Sequence, residues 1–128
     1  TRNNTIRSAI VMEGKEDEIL GLVSLTNINR INQSAVFHIM IGDQNNRQKG
    51  IGFFATIEIL KHAFKDMNLN RIELSVLKSN TRAIKLYEKV GFKEEGIKRK
   101  SVYKGGEFVD MIMMAILKEE FLKVRSLK

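Results

Sequence analysis

The segment Asn46-Arg47-Gln48-Lys49-Gly50-Ile51-Gly52 sets a pair of glycines and two cations at the mouth of a predicted helix. Glycines carry no Cβ, so main-chain N–H groups can approach an anion closely. A helix opening near Ile51 adds its unpaired first-turn amides and the positive end of its dipole. Arg47 and Lys49, with Gln48 between them, place charge at the rim, so the expected ligand is an anion of diphosphate size held on backbone. Gly-x-Gly alone is a weak signal. The segment lacks the third glycine of the dinucleotide pattern and the Gly-Lys-Ser/Thr ending of the P-loop, and a plain turn with a left-handed glycine uses the same letters.

The elements that must position this loop are legible on either side of it. Ala35 to Ile41 is nearly continuous in apolar residues, as in a strand covered on both faces. After the loop, Phe54, Ile57, Leu60, Phe64 and Met67 recur at spacings of three and four, which predicts an amphipathic helix from Ile51 to about Met67. Asn68 to Asn70 ends it, and Ile72, Leu74 and Val76 alternate as a strand. Strand, loop, helix and strand then form a βαβ unit with a right-handed crossover and parallel strands. Upstream, the apolar runs Ser8 to Met12 and Ile19 to Leu25 flank a hairpin turn at Glu13 to Asp17, and Asn27 to Ser34 is polar and turn-like. Downstream, Ser79 or Asn80 caps a second helix that turns Ala83, Leu86, Tyr87 and Val90 inward and stops at Gly91. Phe92 to Tyr103 and Glu107 to Leu117 read as strands joined at Gly105-Gly106. The order β-β-β-α-β-α-β-β predicts a mixed α/β sheet with a parallel pair at its centre.

Length and composition narrow the classes. At 128 residues the sequence predicts a single domain spanning 1–128, and 43% hydrophobic residues suffice for an ordinary core. With no cysteine there is no disulfide, thiol nucleophile or thiolate metal site, and His38 and His62 have no ligand-like spacing, which argues against a zinc centre. No run approaches a membrane span, and a cytoplasmic location is the default expectation. The net charge of +7 points to an anionic partner: nucleic acid, a membrane surface or a phosphate-rich small molecule. Solubility accounts for part of that charge, because Lys118, Lys123, Arg125 and Lys128 crowd the C-terminal tail. No basic stretch is interleaved with stacking aromatics, which tells against single-strand nucleic-acid binding.

Together these residues resemble the GNAT superfamily of acetyl-CoA-dependent N-acyltransferases over essentially the whole chain. Arg47, Gly50 and Gly52 match the family's pyrophosphate signature. Ser79-Asn80-Thr81-Arg82-Ala83-Ile84-Lys85-Leu86-Tyr87-Glu88-Lys89-Val90-Gly91-Phe92 resembles its N-x-x-A-x-x-x-Y-x-x-x-G-F segment. The stretches Gly91 to Gly96 and Tyr103 to Met111 resemble the subgroup of ribosomal-protein, polyamine and sugar-nucleotide acetyltransferases. In that subgroup a strand and one or two helices precede the part seen here and help form the acceptor pocket. The expectation is therefore either an N-terminally truncated domain or an unusually open acceptor side.

The resemblance implies acetyl-CoA as cosubstrate and direct attack of a primary amine on its thioester. It implies cofactor contacts from Met40, Ile41 and Gly42 at the end of the third strand, where parted strands would leave amides to act as an oxyanion site. Further contacts come from Arg47, Gln48, Lys49, Gly50, Ile51, Gly52, Asn80 and Ala83. Tyr87 is expected both to touch the cofactor and to act as general acid, since a phenol can hand a proton to a leaving thiolate. Asn80 would orient the pantetheine amides, or simply cap its helix. His38 and Glu73 are the candidate bases for the amine proton, each with a plain structural alternative. Ser75 stands where the protein N-terminal acetyltransferases of the ribosomal S18 type carry a glutamate, which lowers the weight on that acceptor class. A homodimer is compatible with the resemblance. Two other readings stay open: an acyl-CoA-binding module without catalysis, and a basic nucleic-acid-binding domain.

Overall fold

The computed structural model describes residues 5–10, 19–42 and 50–125. Six strands form a single sheet: β1 (Ile6–Ile10), β2 (Gly21–Asn29), β3 (Ser34–Ile41), β4 (Arg71–Leu77), β5 (Lys93–Lys104) and β6 (Glu107–Leu117). Their spatial order is β1-β2-β3-β4-β6-β5, with β3 and β4 parallel and every other neighbouring pair antiparallel. Between β3 and β4 runs α1 (Ile51–Lys61), whose continuation His62–Asp66 widens into a π-helical turn. The second helix, α2 (Thr81–Val90), links β4 to β5, and α3 (Lys118–Arg125) follows β6. This is the mixed α/β sheet with a central βαβ unit that the sequence predicts. None of the described helices is long and apolar enough to cross a membrane.

Period-two burial shows how the sheet divides the molecule. Val23, Leu25, Ala35, Phe37, Ile72, Leu74, Val76, Ile112, Met114 and Ile116 are buried on one face, packed with Leu60, Phe64, Tyr87 and Val90 from the helices. The alternate residues Val36, His38, Met40, Glu73 and Ser75 turn to the opposite face, where His38, Met40 and Ser75 are exposed. The described helices all lie on the first face.

Several elements depart from the pattern read in the sequence. Strand β2 runs to Asn29 rather than ending at Leu25, because Asn27 (φ 50°) takes up a register shift between Thr26 and Asn29 and lets Ile28 be buried. Strand β1 already begins at Ile6, ahead of the run Ser8 to Met12, and Val11, Met12 and the Glu13–Asp17 turn lie outside the described residues. On α1 and its continuation Ile57, Leu60 and Phe64 are buried as the spacing predicts, but Gly52, Thr56, Ile59 and Ala63 are buried too and Phe54 is 66% exposed. The basic C-terminal stretch is also structural. In α3, Phe121 is buried against Phe64, with ring centroids 5.3 Å apart, which stabilises by about 2–3 kcal/mol. Arg125 donates to the Val90 carbonyl at 2.9 Å, and its guanidinium lies over the rings of Phe53 and Phe121.

Candidate active site

Parallel pairing of β3 with β4 is confined to Ser34–Arg71, Ala35–Ile72 and Val36–Glu73, yet both strands continue well beyond. From there each follows its outer neighbour. Strand β3 stays in register with β2 as far as Ile41 opposite Gly21, and β4 stays with β6 as far as Leu77 opposite Met111. A wedge-shaped gap therefore opens in the middle of the sheet at the C-terminal ends of the parallel strands, the edge where open α/β sheets bind ligands.

Strand alternation determines which amides face that gap. Gly42 N–H donates to Leu20 O at 3.1 Å, so Gly42 and its even-numbered neighbours Met40 and His38 direct their amides toward β2. The amides of Ile39 and Ile41 turn the other way, toward the gap. Within Met40 to Gly42, the segment the resemblance implies, Ile41 turns its amide this way, and Ile39, just before that segment, does so too. An amide so directed can hold an oxygen on which negative charge gathers. Gly21, by contrast, was missed: a Cβ there would collide with the Met40 carbonyl oxygen, so only glycine lets β2 hold the tip of β3 this closely.

The helix mouth lies beside the gap. Gly50 has φ 76° and caps α1 in the left-handed conformation, with Phe54 N–H bonding its carbonyl at 3.1 Å. It brings no side chain to the first-turn amides, and that turn carries no acidic residue, so its positive end is not neutralised from within the helix. Gly52 serves close packing rather than exposure. A Cβ on it would sit 3.3 Å from both Ile41 Cδ1 and Leu86 Cδ2, which seats α1 between the tip of β3 and α2. Ile51 opens the helix. Arg47, Gln48 and Lys49 lie outside the described residues.

Tyr87 projects from α2 onto the same face. Its ring is enclosed by Phe37, edge-on at 6.3 Å, and Phe92, at 5.7 Å. Only 8% of the residue is exposed, and burial raises its pKa above the ordinary phenol value. The hydroxyl has no hydrogen-bond partner among the described residues, and its oxygen is not fully sealed from solvent. A protonated phenol with an unused donor, set in apolar walls, suits a general acid. Asn80 caps α2, its Oδ1 accepting from Ala83 N–H at 3.2 Å, which leaves its NH₂ group for other partners.

The candidate bases lie on the opposite face. His38 is exposed, and its Nε2 is 3.1 Å from Thr26 Oγ1 on β2, the side away from the gap. Glu73 accepts from Arg71 Nε at 3.1 Å, while the Arg71 guanidinium also grips Glu95 through two bonds at 3.0 and 2.7 Å. Glu73 sits in the last paired rung, at the closed end of the gap, and His38 lies beyond it where the strands have parted. The fold thus brings Tyr87, Ile39, Ile41, Gly50 and Gly52 together on the helix side and sets His38 and Glu73 across the sheet. His62 is on the surface, 2.9 Å from Asp66.

A parallel pair forced apart beside a glycine-capped helix, with a tyrosine on the next helix, is the arrangement the sequence resemblance predicts, and residues 6–113 match the acetyltransferase (GNAT) domain. The chain belongs to the GNAT acetyltransferase family. It is 36% identical over 114 residues to spermidine N(1)-acetyltransferase of Vibrio cholerae, covering 88% of this chain and 64% of that protein. It is 32% identical to spermidine N(1)-acetyltransferase of Escherichia coli, covering 84% of this chain and 57% of that one. A solved structure of spermidine/spermine N-acetyltransferase SpeG from Vibrio cholerae superposes with a TM-score of 0.86 at 33% identity, covering 95% of this chain and 70% of that one. The chain therefore spans less than two thirds of the length of these two curated relatives.

Proposed function

We propose that this GNAT domain is an enzyme that moves the acetyl group of acetyl-CoA to a primary amine by direct attack on the thioester. The observation that carries this is the gap itself. Its helix side carries Tyr87 and the gap-facing backbone, and His38 stands on its other side. When bound, acetyl-CoA supplies the activated acetyl group. Gly50 and the first turn of α1 offer backbone N–H groups to the diphosphate, and Arg47, Gln48 and Lys49 add charge and donors. Asn80 at the start of α2, through its NH₂ group, and Ile39 on β3, through its amide, present polar groups along the acyl arm.

The amide of Ile39 stabilises charge on the carbonyl oxygen as the amine nitrogen bonds to carbon. As the carbon–sulfur bond breaks, Tyr87 Oη gives its proton to the departing sulfur. The proton shed by the amine leaves toward the open face, where His38 is the better-placed acceptor; Glu73 is tied to Arg71. Two relatives named as spermidine acetyltransferases support an amine acceptor.

The test combines calorimetry with CoA and a thiol-release assay over a panel of amines. CoA heat that disappears in Gly50→Val, together with amine-dependent thiol release, supports the reaction. CoA binding without thiol release for any amine leaves a binding module instead. Salt-sensitive nucleic-acid binding that is indifferent to Gly50 would replace both.

A further inference from the structure

Strands β5 and β6 lose register between Lys98 and Val102, where Arg99, Lys100 and Ser101 face the single residue Asp110. Lys100 is held at φ 48°, an unusual conformation for a residue with a Cβ, by its N–H bond to Asp110 Oδ1 at 2.8 Å. Asp110 also accepts Lys78 N–H on its carbonyl at 3.0 Å. The bulge is thereby fastened to the loop that leads from β4 into α2, and the two border an open surface hollow of about 430 Å³ lined by Lys78, Ser79, Lys100, Phe108, Val109 and Asp110. A second hollow against Arg99, Lys100 and Asp110 adjoins it.

The hollow has a definite chemistry. The side chains of Lys78, Arg99 and Lys100 make no hydrogen bond or ion pair among the described residues, and the one carboxylate in its lining, Asp110, already accepts a backbone amide. Phe108 is 59% exposed and meets Tyr103, 65% exposed, edge-to-face at 5.0 Å, leaving exposed aromatic ring surface beside the cations. Three unpaired cations next to exposed rings repel a polyamine and suit a phosphate attached to a flat ring. Position matters too. The hollow starts at Lys78, two residues before the Asn80 cap, at the same sheet edge as the gap. Tyr87 lies about 10 Å further along α2, the rise of seven helical residues.

We infer that this hollow holds the acceptor, and that the acceptor is an amine bearing a phosphate and a flat ring rather than a polycation. The inference rests on the proposed acetyl transfer for the amine but not for the phosphate, and two measurements separate the parts. In the first, turnover is compared for O-phosphotyramine, tyramine, 2-aminoethyl phosphate and spermidine. O-phosphotyramine is expected to exceed tyramine in kcat/KM by about tenfold or more, the usual size of a charge-assisted contact, with spermidine poorest. Lys78→Gln combined with Arg99→Gln should bring that ratio toward unity, and Phe108→Ala should erase the advantage over 2-aminoethyl phosphate. A ratio unchanged by these variants, or spermidine as the best acceptor, overturns the inference.

The second measurement needs no turnover: binding of phenyl phosphate by calorimetry, with and without saturating CoA. Heat retained in the presence of CoA and lost in the double variant supports an acceptor site even if no amine reacts. Heat abolished by CoA assigns the cations to the donor's own phosphates and refutes the inference. So does the absence of heat in the unmodified protein.

Discussion

Replacing Tyr87 by phenylalanine removes one oxygen, and the structure separates its kinetic effect from its structural one. The hydroxyl bonds no group among the described residues, while the ring keeps its contacts with Phe37 and Phe92. Folding stability near neutral pH should therefore change by no more than about 0.5 kcal/mol. The proposed reaction, by contrast, would lose its donor for the leaving sulfur, and a positioned general acid is worth about 10² to 10⁴ in rate. A hundredfold fall in kcat corresponds to about 2.7 kcal/mol on the barrier. The assay is CoA release at saturating amine across the alkaline range, with thermal unfolding of the same samples.

The pH dependence carries a second signature. Burial raises the Tyr87 pKa, so the acid stays protonated, and activity persists, above the pH at which an ordinary phenol would fail. The same shift enters stability. Its contribution is complete below the unfolded value of about 10 and is lost as pH rises from there through the higher folded value, because the unfolded chain ionises first. The phenylalanine variant should lack both the alkaline fall in rate and this part of the alkaline fall in stability. A variant that keeps kcat within about a factor of two of the parent at every pH would refute the general-acid role.

Gly21→Ala should lower stability by about 1–3 kcal/mol in urea unfolding, because the added Cβ meets the Met40 carbonyl, and should raise KM for acetyl-CoA by displacing the tip of β3. Unchanged KM alongside lost stability would separate Gly21 from the site. Arg125→Ala should cost about 1–2 kcal/mol in thermal unfolding, since it frees the Val90 carbonyl and strips the cation from Phe53 and Phe121. Glu95→Gln tests the ion-pair network on the open face. The Arg71 hydrogen bond lowers the Glu95 pKa, so the stabilisation is present above the ordinary carboxylate range and fades as pH falls through the folded value. With the Glu95 side chain 43% exposed, that stabilisation should not exceed about 1 kcal/mol and should shrink in high salt, as unfolding curves at two salt concentrations will show.

Local pattern carried much of this fold. The alternation Ile72, Leu74, Val76, the helical spacing from Ala83 to Val90 and the glycine stop at Gly91 each appear as read, because each is decided within one turn or one pleat. The misplaced features depend on partners distant in sequence. Phe54 fits the helical period of α1, but the face of a helix that becomes buried is set by what it packs against, and in the first turn it is Gly52 that packs against Ile41 and Leu86. The tail looked like solvated charge until Phe121 met Phe64 from an element far upstream. At the site, Tyr87 and the glycines were visible as letters. Which amides of β3 face the gap depends on register with β2, which the sequence of β3 alone does not contain.

The gap follows from a competition between ladders. Past Val36 the β3 backbone could continue pairing with β4, and each such hydrogen bond would contribute about 1 kcal/mol. It does not, because β3 remains in register with β2 as far as Ile41 while β4 remains with β6 as far as Leu77, and the two outer partners diverge. Forgone pairing in the centre of a sheet is a local loss of stability retained where function needs it. For the proposed reaction it would leave an opening with Tyr87, the proposed proton donor, on one side and His38, the proposed proton acceptor, on the other. A compact pocket on a single face would have to keep an imidazole and a phenol from bonding each other. Placing His38 and Tyr87 across the sheet removes that short circuit, so the separation of the two groups supports the proposed chemistry.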